Sequence, residues 1–378
     1  MTIDVCHVIT DLNVGGAERA LASLLTSRRT SDVRWSVISI MPGGAFAGAL
    51  ANEGIPVHTL DVRRPAQFAF AIPRLARLIR EIRPTILQGW MYHGNLTASI
   101  GRLLSRQPTA LSWNIRQSIP DLRRERPLTR LMIRAHVPLV RGVDAVVYNA
   151  ELARAQHEAL GIGCADTRII PNGVDAERFR PRNHARADLF RNLPLDEDSV
   201  LVGHVGRFHP VKNHRGLIDA AKTVCEQRSD VHFLLAGTEV TAANPEIARL
   251  VARHPRIHLL GELAGVQNLL AGIDLFCLCS SAEAMPNVVL EAMACGVPCV
   301  STDVGDCRSV IGDTGIVVPA NDTRALVAGL ERMLALSPDE RHALGVRARS
   351  RVLEQGSPEH VASAYRDLYA DLAARQRR

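Results

Sequence analysis

Residues 200–226 read VLVGHVGRFHPVKNHRGLIDAAKTVCE, and their layout decides the fold. The apolar run at 200–205 is a strand buried on both faces. A polar loop follows at 207–213, and over 214–226 the apolar residues recur at helical spacing. Strand, loop and helix form the unit of a parallel sheet wrapped by helices. The unit continues downstream, with strands expected at 231–235, 257–260, 275–279 and 298–301. Helical patterns then fill 323–336, 338–354 and 358–374.

The first half has the same layout without close internal repetition. A strand at 3–10 leads through a Gly-Gly turn into a helical pattern from residue 17 to about 27, and short apolar runs follow at 35–40, 57–60, 85–88, 109–113 and 145–148. The stretch IIPNGVD, 169–175, carries turn chemistry. Residues 181–199 are polar and irregular, with Pro181, Pro194 and the acidic run Asp196-Glu197-Asp198, and read as a linker. At 378 residues the chain exceeds most single cores. The expectation is an α/β protein of two doubly wound, Rossmann-like domains, 1–180 and 200–357, facing a central cleft, with the helix at 358–375 packing back on the first. Ligands of such sheets bind outside the carboxyl ends of the strands, so the loops after Thr10, Val205 and Cys279 should line the cleft.

Composition narrows the class. The 47% hydrophobic and 22% charged content is that of an ordinary globular protein, and a net charge of +6 is modest for the length. Aromatic residues are only 4% and no recognition motif appears, which argues against nucleic acid. No apolar run approaches a membrane span. The cysteines are scattered with no Cys-x-x-Cys pair, and no signal segment precedes the first strand, so free thiols in a reduced cytoplasm are expected.

Three stretches carry candidate chemistry. Arg207 and Lys212 lie between a strand end and a helix start, where two cations and a helix N-terminus suit a diphosphate. Lys212 and Lys222 are the only lysines in a chain otherwise cationic through arginine, which points to a compact ammonium at 212. A pair of solvated surface cations is the plainer alternative. Next, SAEAMPNVVLEAMACG at 281–296 holds two carboxylates in an apolar segment, and each needs a partner, solvent or a ligand. A helix beginning near Asn287 would present the amides of Asn287, Val288 and Val289 to a phosphate. Glu291, one turn in, could accept from a ribose diol, and Glu283, before the helix, could reach the group beyond the phosphates. The alternative is that Glu283 caps the loop and Glu291 pairs with an arginine. Third, DLNVGGAER at 11–19 places Gly15 and Gly16 after the first strand, where a ligand could approach the backbone; it is not a dinucleotide fingerprint.

Taken in order, GGAER (15–19), IPNGVD (170–175), VGRFHPVKN (205–213) and the Glu-x7-Glu of 283–291 resemble the glycosyltransferase family 4 enzymes over nearly the whole chain. Those are retaining, two-domain GT-B glycosyltransferases. WMYH (90–93) and MACGVP (293–298) look closest to bacterial enzymes of capsule, O-antigen and exopolysaccharide assembly. The resemblance implies that Arg207 and Lys212 bind the donor diphosphate, Glu283 the donor sugar and Glu291 the ribose. It implies that backbone over Met285, Pro286, Asn287, Val288 and Val289 holds sugar and phosphate, that Gly15 and Gly16 close on the donor, and that Gly261, Glu262 and Leu263 meet the base.

One departure stands out: Gln117 falls where many relatives carry a histidine, with His93 in the preceding strand-to-helix loop as a substitute. The family's usual account has the acceptor attack from the face the phosphate leaves, so the main protein contribution is stabilisation of the developing diphosphate. No metal site and no cofactor are expected: the Asp-x-Asp of 196–198 reads as a solvated patch, and the nucleotide sugar is a substrate, a UDP-sugar favoured over a GDP-sugar.

Residues 68–83 interleave apolar positions with Arg74, Arg77, Arg80 and Arg83, and a second block holds Arg116, Arg123, Arg124, Arg126, Arg130, Arg134 and Arg141. Basic amphipathic segments suit an anionic membrane surface, and a lipid-linked acceptor met at the cytoplasmic face would explain them; an ordinary helix with one solvated face is the alternative. Two rival functions share the architecture: a nucleotide-sugar epimerase, and a non-catalytic partner subunit that binds nucleotide sugar.

Overall fold

The computed structural model describes residues 2–13, 15–27, 32–119, 121–125, 127–193, 195–196 and 198–376. Val14, Arg126, Pro194 and Glu197, all in stretches read above, lie outside them. The chain divides into two compact units, Met1–Gly173 with Pro358–Arg378, and Val174–Ser357.

The first unit holds seven parallel strands: β1 (Ile3–Ile9), β2 (Val33–Ser39), β3 (Val57–Thr59), β4 (Ile86–Trp90), β5 (Ala110–Ile115), β6 (Ala145–Tyr148) and β7 (Thr167–Ile169), in the order β3-β2-β1-β4-β5-β6-β7. The order reverses between β1 and β4, where His7 pairs with Gln88 and Val8 with Gly89. One face is covered by the helices Phe68–Ile82 and Met91–Ser105, whose Leu75, Ile79 and Ala98 join Leu87, Leu111 and Trp113 of the strands. The other packs against Gly16–Leu25 and the last helix, Pro358–Arg375, through Leu21, Tyr365 and Tyr369.

That last helix is tied down by polar as well as apolar contacts. Asn114 Nδ2 donates to Tyr365 Oη at 2.7 Å, and Tyr369 Oη donates to Gln88 Oε1. Arg116, counted above among surface cations, is also drawn inward. Its guanidinium donates to Tyr365 Oη at 3.0 Å and to Asn172 Oδ1, and lies 5.5 Å from the centroid of the Trp90 ring. The correction has a simple cause: the oxygens of Tyr365 and Asn172, that of Asn114 at 3.4 Å and the face of Trp90 together hold the guanidinium inward.

The second unit has six parallel strands: β8 (Val200–Val205), β9 (Val231–Ala236), β10 (Ile257–Gly261), β11 (Leu275–Leu278), β12 (Cys299–Thr302) and β13 (Ile316–Val318), ordered β10-β9-β8-β11-β12-β13. This repeats the winding of the first sheet, with its switch point between β8 and β11. The expected linker is corrected here. Residues 181–199 belong to the second unit and include the helix Ala185–Asn192. Leu189 and Phe190 pack against its core, and Arg186 pairs with Asp274 at 2.8 Å. The polar composition hid a short amphipathic helix, and the boundary falls at Gly173/Val174. Among the described residues, no helix is long and apolar enough to cross a membrane.

Candidate active site

The loops leaving β8 and β11 meet at the switch point of the second sheet. Past β8, Gly206 N–H donates to the Ala236 carbonyl at 2.9 Å and Phe208 N–H to Thr238 at 2.9 Å, which binds the loop to its neighbour after β9. A single 3-10 turn, Pro210–Lys212, follows, and Asn213 takes a left-handed conformation (φ 49°) as cap of the helix His214–Gln227, its Oδ1 accepting from Gly216 N–H at 3.2 Å. Past β11, Ser281 N–H donates to the Val211 carbonyl at 2.8 Å, and Cys279 Sγ lies 3.0 Å from the Lys212 carbonyl oxygen.

This stitching brings together residues 71 apart in sequence. Lys212 Nζ lies 2.5 Å from Glu283 Oε1, and Ser280 Oγ donates to the same oxygen at 2.7 Å. Their side chains are 22% and 15% exposed, so the pair is largely desolvated yet open to a ligand. An ammonium carries three hydrogens, and a phosphate could compete for those Glu283 leaves. Arg207 is exposed on the same loop.

The stretch after Glu283 is held from the side of β12. Thr302 Oγ1 donates to the Ser280 carbonyl at 2.7 Å and Asp306 N–H to that of Ala284 at 3.0 Å. Gly305 has a φ of 54°, and a Cβ there would stand 2.1 Å from the Ala284 carbonyl oxygen. Gly305→Ala is therefore expected to cost about 2–4 kcal/mol of unfolding free energy and to displace Glu283. Gly54→Ala, at a φ of 74° with no atom within 4 Å, should cost only about 1 kcal/mol. Urea unfolding of both variants checks this.

The helix Asn287–Ala294 follows Pro286, which supplies no side-chain cap. Met285, Pro286 and Val289 are buried and Val288 packs against the core, so what this segment can offer a ligand is backbone. Asn287 and Glu291 are half-buried and engaged in contacts of their own. At the end of β10, Gly261 (φ 69°) donates to the Val240 carbonyl and accepts from Gly237 N–H, both at 2.8 Å. Leu263 packs on the core while Glu262 is exposed.

In the first unit, Gly15 stands at the start of Gly16–Leu25, and a Cβ there would lie 2.1 Å from Glu18 Oε2. Burial pushes the Glu18 carboxyl up, its own backbone N–H opposes, and Asp11 adds to the rise. Gly16 is exposed. His93 is exposed in the first turn of Met91–Ser105, and Gln117 is half-buried beyond β5. Sequence reasoning missed Ser280, Asn213 and Gly305. The Ser-Ser pair directly after an apolar strand, and an Asn opening a helix, were the available signals.

Two parallel sheets of the same winding are the architecture of the GT-B fold. Residues 14–178 match the family model Glycosyltransferase Family 4, and residues 199–335 match Glycosyl transferases group 1. The chain belongs to the family 4 glycosyltransferases. It is 32% identical over 217 residues to the N-acetyl-alpha-D-glucosaminyl L-malate synthase of Bacillus anthracis, covering 55% of this chain and 54% of that one. It is 27% identical over 213 residues to the UDP-Gal:alpha-D-GlcNAc-diphosphoundecaprenol alpha-1,3-galactosyltransferase of Escherichia coli, covering 54% of each. These matches thus span about half the length of either relative. Among solved structures, Anabaena Alr3699/HepE in complex with UDP superposes with a TM-score of 0.83 at 20% identity, covering 98% of this chain and 100% of that chain.

Proposed function

We propose that this protein is a retaining, metal-independent glycosyltransferase that moves a sugar from a nucleotide sugar, a UDP-sugar rather than a GDP-sugar, to a lipid-linked bacterial surface glycan such as a capsule, O-antigen or exopolysaccharide. The observation that carries the reading is the Lys212–Glu283 pair, set beside Arg207 on two loops at one switch point. On this reading the diphosphate draws the Lys212 ammonium away from Glu283. Lys212 and Arg207 then stabilise the charge that develops as the sugar–phosphate bond breaks. Glu283 turns to the sugar, the amides from Met285 to Val289 hold sugar and phosphate, and Glu291 accepts from the ribose. Gly261 spends both backbone groups internally, so the base would meet Glu262 and the Leu263 backbone. Gly15 and Gly16 would approach the donor, and His93 or Gln117 the reacting sugar. The acceptor hydroxyl attacks the anomeric carbon from the face the diphosphate leaves and gives its proton to the leaving oxygen. No protein base is then required. The UDP of the Anabaena structure and the diphosphoundecaprenol acceptor named for the Escherichia coli relative support the substrate classes.

A surface on the first unit supports a lipid-linked acceptor. Phe70, Leu103, Leu128 and Leu131 are large apolar side chains left exposed, and Arg74, Arg83, Arg134 and Arg141 are exposed on the same helices or at their ends. Apolar side chains among cations suit the headgroup region of an anionic bilayer at the cytoplasmic face. Vesicles with 30% anionic lipid should sediment the wild type, and Leu131→Glu should weaken that binding about tenfold; equal binding to neutral vesicles would count against it.

The test of the function is incubation with UDP-sugars and a lipid diphosphate bearing one sugar, with chelator present. A disaccharide product with the donor's anomeric configuration is expected. An inverted product, or loss of turnover on chelation, would contradict the mechanism. Nucleotide binding without turnover on any acceptor would favour a non-catalytic partner subunit.

A further inference from the structure

Glu283 sits in a loop without regular structure, and the group that fixes its carboxylate comes from the end of the sheet. Ser280, two residues past β11, is 0% exposed, and its Oγ donates to Glu283 Oε1 at 2.7 Å. Ser280 is itself tied to the neighbouring strand. Its carbonyl accepts at 2.7 Å from Oγ1 of Thr302, the last residue of β12, which is 2% exposed. The Thr302 carbonyl in turn accepts from Ser301 Oγ at 2.9 Å. Three hydrogen bonds from buried hydroxyls thus run from the end of β12 to the carboxylate.

The residue before Ser280 treats the other half of the charged pair in the same way. Cys279, 0% exposed, places Sγ 3.0 Å from the Lys212 carbonyl oxygen and 3.5 Å from that of Asn213. Two successive residues past β11 therefore hold the Lys212 backbone and the Glu283 carboxylate in one frame. The two donors on Glu283 Oε1 differ in reach. Lys212 Nζ ends a flexible stem and, on the reading above, moves to the diphosphate. Ser280 Oγ is one bond from a buried Cβ and stays. A carboxylate only 15% exposed, once its ammonium leaves, needs a donor that remains.

We propose that Ser280 is a positioning residue, with Thr302 behind it: the Ser280 hydroxyl keeps hold of Glu283 when Lys212 leaves, and so aims the carboxylate at the donor sugar. This rests on the reading of Glu283 as the sugar contact given above. The support is rigid where the supported group is not, since both hydroxyls stand at the ends of paired strands while Glu283 stands on a loop. Alanine at 280 would lose the donor and little volume.

The test is a double-mutant cycle on kcat in the full chain. The donor is whichever of UDP-glucose, UDP-galactose and UDP-N-acetylglucosamine the wild type turns over fastest on a lipid diphosphate bearing one sugar. Ser280→Ala should lower kcat about tenfold, the lower range for a hydrogen bond to a charged group, and leave the donor KM nearly unchanged. In a Glu283→Ala background the same change should cost nothing further, because the hydroxyl then has no carboxylate to hold. An equal loss in both backgrounds would show a packing role only and overturn the inference, as would wild-type kcat in Ser280→Ala. Should Ser280→Ala fail to fold, Thr302→Val makes the same comparison, with a loss of about fivefold expected in the wild-type background alone. If Glu283→Ala is slow while Ser280→Ala is not, only the inference falls. If Glu283→Ala keeps the wild-type kcat, the sugar reading of Glu283 falls and takes the inference with it. A wild type that turns over none of the three donors would overturn the transferase reading and the inference together.

Discussion

Lys212→Ala should lower the transferase kcat about a thousandfold, the upper range for removing one preorganised charge from a transition state. Two losses combine. On the proposed reading the diphosphate loses a cation from a largely desolvated site, and Glu283 loses the ammonium beside it while keeping the Ser280 hydroxyl. Because Lys212 and Glu283 are still 22% and 15% exposed, the stability cost should be about 1–3 kcal/mol, below that of breaking a fully buried pair. The double variant Lys212→Ala/Glu283→Ala separates the effects: it should regain most of the stability and none of the activity. Lys212→Arg should not rescue turnover, since the bulkier planar guanidinium does not fit a 2.5 Å contact built for an ammonium. Steady-state kinetics beside urea unfolding measures both. Activity above a tenth of wild type in Lys212→Ala would remove Lys212 from the diphosphate site.

Mild acid should unfold both units, because each buries neutral histidines. In the first, burial pushes His7 down to about 3 and His157 to about 4, the Ala153 carbonyl opposing at the latter. In the second, burial holds His204 at about 3 and His214 at about 4. The folded values lie below the unfolded value near 6.5, so unfolding binds protons as the pH falls. The stabilisation is complete above pH 6.5 and is lost as the pH falls from there to about 4 for His157 and His214 and to about 3 for His7 and His204. Each histidine contributes about 1.4 kcal/mol per pH unit in that window, or about 3 kcal/mol per pH unit for the two in each unit. Thermal unfolding at pH 7.5, 6.0 and 5.0 should show midpoints falling steeply below pH 6.5. Equal midpoints at pH 7.5 and 5.0 would mean the rings are not buried as described.

The parts of the fold legible in the sequence were those where burial leaves a long signature. β1, β8, β9 and β11 are apolar runs buried nearly end to end, and the helix-length segments between them impose parallel pairing. β7 and β13 were not legible: each has three residues, partly exposed at a sheet edge, too short for periodicity to register. The helix Ala185–Asn192 escaped because Arg186 and Asp188 outweigh Leu189 and Phe190 in composition, and only tertiary packing fixes which face is buried. The site shows the same division. Arg207, Lys212 and Glu283 could each be placed after a strand. That Lys212 and Glu283 touch depends on β8 lying beside β11, a sheet order that sequence spacing does not encode. Arg116 was misread because arginine-rich sequence looks alike whether it faces solvent or Trp90.

Whether Arg207 and Lys212 bind a nucleoside diphosphate is read from thermal stabilisation by UDP, GDP, ADP and dTDP, on wild type and Arg207→Ala. At a concentration a hundredfold above its dissociation constant, a ligand of the folded state adds about 2.7 kcal/mol of stability. UDP should raise the wild-type midpoint by several degrees and leave Arg207→Ala nearly unmoved. No shift with any of the four, or an equal shift in the variant, would contradict the assignment of Arg207 and Lys212 to a diphosphate.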